Sequence, residues 1–80
     1  MARSKPEDIC EKIRKTYTNL AKVWSESETG ITENHIKNWR NEARQWVIDE
    51  VKTEHVSYCY GYIVGLFDAI VDQYGVNNDD

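Results

Sequence analysis

Val56-Ser57-Tyr58-Cys59-Tyr60-Gly61-Tyr62-Ile63-Val64-Gly65-Leu66-Phe67-Asp68-Ala69-Ile70-Val71-Asp72-Gln73-Tyr74 is the stretch on which the fold turns. On a 3.6-residue helix, Val56, Cys59, Tyr60, Ile63, Leu66, Phe67, Ile70 and Tyr74 share one face. Ser57, Gly61, Gly65, Asp68 and Asp72 fall opposite them, also at helical spacing. Gly75 then suits the left-handed position just past a helix end. A strand competes over residues 58–67, where Tyr58, Tyr60, Tyr62 and Val64 alternate with small residues. The two glycines also cost a helix, ~1 kcal/mol each relative to alanine. The helical period continues through Asp68 and Asp72, and helix is the reading adopted.

Upstream, a second helix has a marked start. The Thr32 hydroxyl can accept from an orphan amide as N-cap, and Ile31 and Ile36 stand at the staple positions on either side. Ile36, Trp39, Ala43, Trp46, Val47 and Val51 form its apolar stripe. Its end is open to two readings, because Thr53, Glu54 and His55 are polar but none is Pro or Gly. Either the chain bends there or one helix runs from Glu33 to Tyr74, roughly 60 Å at 1.5 Å per residue. Such a helix would need a partner along its apolar side.

The first helix spans about Pro6 to Trp24, with Ser4 as a cap or Pro6 in the first turn. Glu7 and Asp8 match the positive end of its dipole. Ile9, Ile13, Tyr17, Leu20 and Trp24 make its stripe, and Glu11, Arg14, Lys15, Thr18 and Lys22 lie outside. Ser25-Glu26-Ser27-Glu28-Thr29-Gly30 is a loop. The fold expected is therefore all-α: a small helical hairpin or three-helix bundle with helices at about 6–24, 32–53 and 55–74. It forms a single domain over 1–80, with residues 1–5 and 76–80 expected to fray. Eighty residues leave room for nothing larger and bury only a thin core.

Charge is uneven along the chain. The net charge is −4, which argues against bulk electrostatic binding of nucleic acid. Arg3, Lys5, Lys12, Arg14, Lys15 and Lys22 crowd the first third, whereas no base follows Lys52 and Asp68, Asp72, Asp79 and Asp80 do. The two ends of the chain are thus expected to carry fields of opposite sign. The start shows charge without an apolar run behind it, and the 56–71 stretch is interrupted and short of the ~20 residues a bilayer needs. The expectation is a cytoplasmic protein with no membrane partner. Cys10 and Cys59 then read as reduced thiols packed as small hydrophobes, with a bridge between them as the alternative.

The chemistry-bearing residues are few. Cys10, His35, His55 and Cys59 are an inventory for zinc, but they lack the close paired spacing that structural zinc sites use. Cys59 near His55 is an imidazole–thiol pair in principle, and Asp68 with Asp72 a weak Mg²⁺ site, against the simpler readings of a core thiol and a solvated acidic stripe. No nucleophile elbow, phosphate-cradling loop or dinucleotide fingerprint is present. No enzyme activity, metal or cofactor is expected. What remains is a surface: Ser57, Gly61 and Gly65 are small and four apart, so another helix could approach closely. Tyr58 and Tyr62 flank that stripe, and Asp68 and Asp72 continue it. The alternative is a last helix buried on both sides. The function expected is a non-catalytic protein that binds another macromolecule, as adaptor, regulator or inhibitor of a larger protein assembly, self-associating through 56–74 as a homodimer or higher oligomer.

Gly30-Ile31-Thr32-Glu33-Asn34-His35-Ile36-Lys37-Asn38-Trp39-Arg40-Asn41-Glu42 resembles the turn and recognition helix of helix-turn-helix domains in transposases and small terminase subunits. Those domains carry a Gly-(Ile/Val)-(Ser/Thr)-Glu-Asn-x-(Leu/Ile)-x-x-Trp pattern. The resemblance is local and extends to no other part of the chain. It implies an alternative function, a DNA-binding regulator using residues 30–44. Asn34, Lys37 and Asn38 would face base edges, and Arg40 and Arg44 would meet phosphates.

Overall fold

The computed structural model describes residues 5–77 and contains three α-helices: α1 (Pro6–Ser25), α2 (Glu33–Glu50) and α3 (Val56–Tyr74). Ser4, one of the two caps expected for α1, and Asp79 and Asp80 lie outside the described residues. The chain enters α1 through extended Lys5 and Pro6, and the Lys5 carbonyl accepts from the amides of Asp8 and Ile9 at 3.1 and 3.2 Å. At the far end, Ser25 Oγ and Ser27 Oγ donate to the carbonyls of Lys22 and Trp24 at 2.7 and 2.6 Å. These bonds occupy acceptors that the last turn leaves without helical partners.

Thr32 caps α2 as its sequence position indicates. The His35 amide donates to Thr32 Oγ1 at 3.2 Å, and the Thr32 amide donates to His35 Nδ1 at 3.1 Å. His35 thus fills the place that Glu or Gln occupies in the usual reciprocal cap. Ile31 and Ile36 are both buried.

The end of α2 corrects the expected boundary at 53 and excludes the continuous 33–74 helix. Val51 and Lys52 are extended (ψ 145° and 144°), and Thr53–His55 form a single 3-10 turn leading into α3. No Gly or Pro makes this break. Val51 is buried, and turning the chain there lets Cys59, Ile63, Phe67 and Ile70 fold back onto the other two helices. A straight 33–74 helix would leave that apolar face in water, and its burial is worth more than the few helical bonds lost at the turn.

The contacts give the directions of the helices. Trp24 meets His35 and Tyr17 meets Glu42, so α1 and α2 are antiparallel. Cys10 meets Cys59 and Tyr17 meets Phe67, so α1 and α3 are parallel. The result is an up-down-up bundle of 43 × 19 × 19 Å with α3 packed against both other helices. Tyr17 sits where all three meet, its ring 5.5 Å from Phe67 and 6.3 Å from Trp39. Lys12, Arg14, Lys15 and Lys22 of α1 and Asp68 and Asp72 of α3 thus stand on parallel, neighbouring helices.

Past α3, Gly75 adopts φ +75° and its amide bonds the Val71 carbonyl at 2.8 Å. Residues 76 and 77, expected to fray, instead fold back on the start of α2. Asn77 N–H donates to the Ile31 carbonyl at 2.8 Å, and the Asn77 carbonyl accepts from Glu33 N–H at 3.1 Å. Its side-chain amide donates to the Thr29 carbonyl at 2.8 Å. The clasp supplies an acceptor to the first turn of α2, where amides have no helical partner. Gly30, at φ +68°, is needed under it: a β-carbon there would stand 2.9 Å from Asn77 Nδ2.

Candidate functional site

Two adjoining surfaces hold the residues singled out from the sequence. The first is the outward face of α3. Ser57, Tyr58, Gly61, Gly65, Asp68 and Asp72 are exposed, and Tyr62 is half-buried against the core. Val64 and Val71 are 48% and 40% exposed, and Val71 lines a groove with residues of α2. The reading in which α3 is buried on both sides is therefore incorrect, since two helices suffice to cover one face of a third. Around Gly61 and Gly65 the surface is open: an added β-carbon at either meets no atom within 4 Å. Among the described residues, neither glycine is required by packing, nor by a left-handed backbone. Together with Ser57 they leave a shallow lane about 12 Å long, from 1.5 Å of rise per residue. Tyr58, next to Ser57 in sequence, is 58% exposed.

The second surface is the flank of α2 that faces α3. Lys37, Arg40, Asn41 and Arg44 recur at helical spacing and line a groove with Glu33. A neighbouring groove between the helices is lined by Glu33, Ile36, Arg40, Val71 and Val76. The Arg44 guanidinium lies 5.9 Å from the Tyr60 ring centroid, a cation–π contact. Among the described residues, Lys37, Arg40 and Arg44 form no ion pair with a carboxylate, and Arg40 Nε is buried without a hydrogen-bond partner. Three acids of the same helix are engaged elsewhere. Glu42 accepts from Tyr17 at 3.2 Å, Asp49 from Gln45 at 2.9 Å, and Glu50 from the Trp46 indole. The positive flank thus results from sorting around the helix, although the chain is acidic overall. Asn34 and Asn38 are exposed nearer the start of α2.

The zinc inventory is scattered. Cys10 and Cys59 meet near the beginnings of α1 and α3, whereas His35 lies toward the other end of the bundle, between Trp24 and Trp39. His55 is in the turn before α3, 3.7 Å from Glu54. No group of three or more His, Cys, Asp or Glu gathers among the described residues. Two buried groups have strongly raised pKa values. Burial, aided by the charge and hydrogen bond of Glu42, pushes the Tyr17 hydroxyl up to about 12. Burial, then the contact with Cys59, pushes the Cys10 thiol up to about 12. Both shifts favour the neutral forms.

Sequence reasoning found the α3 stripe and the α2 cations but missed that they adjoin, because the order of packing around the bundle is not written in either helix. The Asn77 clasp was missed for the same reason. No helix among the described residues is long and apolar enough to cross a membrane. No family model, curated protein or solved structure matches the chain.

Proposed function

We propose that this chain is a small non-catalytic helical protein that acts by binding another macromolecule, as an adaptor, regulator or inhibitor of a larger protein assembly, and that it self-associates through α3. The observation that carries the reading is the open lane at Gly61 and Gly65. Two glycines within a helix cost stability, ~1 kcal/mol each, and here no contact among the described residues offsets that cost. A second backbone approaching Ser57, Gly61 and Gly65 would offset it through close packing. Exposed Tyr58, Val64 and Val71 supply the aromatic and aliphatic surface that interface centres use. Asp68 and Asp72 would set the orientation of the partner by charge.

Light scattering over a concentration series tests the reading. Self-association should appear as a concentration-dependent mass that Gly61→Leu and Gly65→Leu abolish while the helical circular dichroism is kept. Assembly and partner binding unchanged by both substitutions would overturn it. A specific observation favours a second reading, binding of duplex DNA by α2: Lys37, Arg40 and Arg44 share one flank and form no ion pair with a carboxylate among the described residues, beside Asn34 and Asn38. Duplex titrated at low and physiological salt tests it. A true binder loses affinity with salt and with Lys37→Ala and Arg40→Ala, and no salt-dependent binding refutes it.

A further inference from the structure

Near the end of the bundle where α1 and α3 begin, the two cysteines of the chain face each other. Cys10 Sγ and Cys59 Sγ are 3.8 Å apart, and the residues are 3% and 0% exposed. Cys59 Sγ is otherwise 4.0 Å from the Pro6 carbonyl. They project from parallel neighbouring helices toward the same point, separated by 49 positions of sequence. A disulfide needs its sulfurs at ~2.05 Å, so the pair must close by ~1.8 Å, within reach of side-chain rotation and a small settling of α1 on α3. Sulfur contact between two buried cysteines on different helices is a juxtaposition that packing as ordinary small hydrophobes does not require.

We propose that Cys10 and Cys59 are a covalent oxidation site: under thiol-oxidising conditions they form an intramolecular disulfide that joins α1 to α3, and under reducing conditions they return to packed thiols. With glutathione disulfide as oxidant, the thiolate of one cysteine attacks a glutathione sulfur, breaking that S–S bond and releasing one glutathione thiolate. The other cysteine then loses its proton and attacks the protein sulfur of the mixed disulfide. The Cys10–Cys59 bond forms as the second glutathione leaves. Two protein thiols are oxidised, one glutathione disulfide is reduced, and the two protons end on the glutathione thiols.

Burial sets the route. Burial keeps the Cys10 thiol protonated at neutral pH, so attack begins when the first turns of α1 open or while the chain is folding. Cys10 is only four residues past Pro6, close to the helix end where fraying starts. Once formed, the bond closes a long loop and constrains the unfolded chain. The chain-entropy relation and the melting entropy of a domain this size convert that to a rise in Tm of ~15–30 °C.

The test uses the full chain equilibrated in glutathione redox buffers of rising oxidant fraction, then acid-quenched and read by mass spectrometry and by thermal melts with and without reductant. The expected product is a single chain lighter by two hydrogens, with a linked Cys10–Cys59 peptide after digestion, resistance to thiol alkylation, and a raised Tm that reductant reverses. Cys10→Ala and Cys59→Ala should each fold and lose the Tm shift, which separates the bond from a general effect of the buffer. Accumulation of the glutathione mixed disulfide or of cross-linked dimers would overturn the proposal. So would an intramolecular bond that leaves Tm unchanged or lowers it, since the helices would then be poorly placed for it.

Discussion

Replacing Gly61 and Gly65 with alanine should stabilise the folded chain while weakening the self-association proposed for α3. Both residues lie inside α3 with no positive φ, and an added β-carbon at either site meets no atom within 4 Å. The substitution therefore collects the helix-propensity difference without a packing cost, ~0.8–1.0 kcal/mol per site and about 2 kcal/mol for the pair. For a domain of 60–100 residues, each kcal/mol moves Tm by ~4–8 °C, so the double variant should melt about 8–16 °C higher. The assay is urea and thermal unfolding followed by circular dichroism, at protein concentrations low enough for light scattering to read one chain. The urea midpoint should rise at constant m-value, because the surface exposed on unfolding scarcely changes. At high concentration the same two methyl groups stand in the lane where a second helix would lie, so the mass should fall toward one chain. A lower midpoint in the single chain would refute the reasoning, since it would mean that the glycines are packed or that α3 is not helical there. Gly30→Ala and Gly75→Ala are the contrast. Both sit at positive φ, and Gly30 also meets Asn77, so each should lose about 1 kcal/mol or more.

Trp39→Ala removes a ring packed against Tyr17 and His35 and should cost ~3–5 kcal/mol, enough to leave much of so small a domain unfolded by circular dichroism. A loss under about 1 kcal/mol would place Trp39 outside the core. Thr32→Ala removes the acceptor of the His35 amide and should lower unfolding free energy by about 1 kcal/mol in urea titrations, whereas Thr32→Ser should restore most of it. Alkaline pH should destabilise the fold. Tyr17 is raised from 10.0 to about 12, so the unfolded state loses its proton first; that contribution is intact below pH 10 and declines as pH rises toward and through about 12. Cys10, raised from 9.0 to about 12, starts the decline earlier. Urea midpoints measured across this range should fall, and Tyr17→Phe should flatten the part above pH 10; a midpoint that rises there would contradict the assignment.

The local features of the sequence determined the helices themselves. Ile9, Ile13 and Tyr17 repeat at the helical period, Thr32 with Ile31 and Ile36 marks a start, and Gly75 marks a stop. Each signal acts within about one helical turn, where backbone bonds and neighbouring side chains decide the outcome. The α3 face at 57, 61, 65, 68 and 72 was legible for the same reason, because residues four apart share a side of any helix.

The tertiary structure decided what those helices do to one another. Nothing local stops α2 at Glu50; the chain turns there because Val51 is buried and the apolar face of α3 reaches its place between the other helices only after a reversal. The Asn77 clasp joins residues far apart in sequence, and the meeting of Cys10 with Cys59 depends on α1 and α3 running parallel in register. Whether Gly61 and Gly65 were packed or open could not be settled by periodicity, which assigns a side to each residue without saying what lies against it. Burial and juxtaposition are properties of the whole packed chain, and they arise from minimising exposed apolar area over all three helices at once.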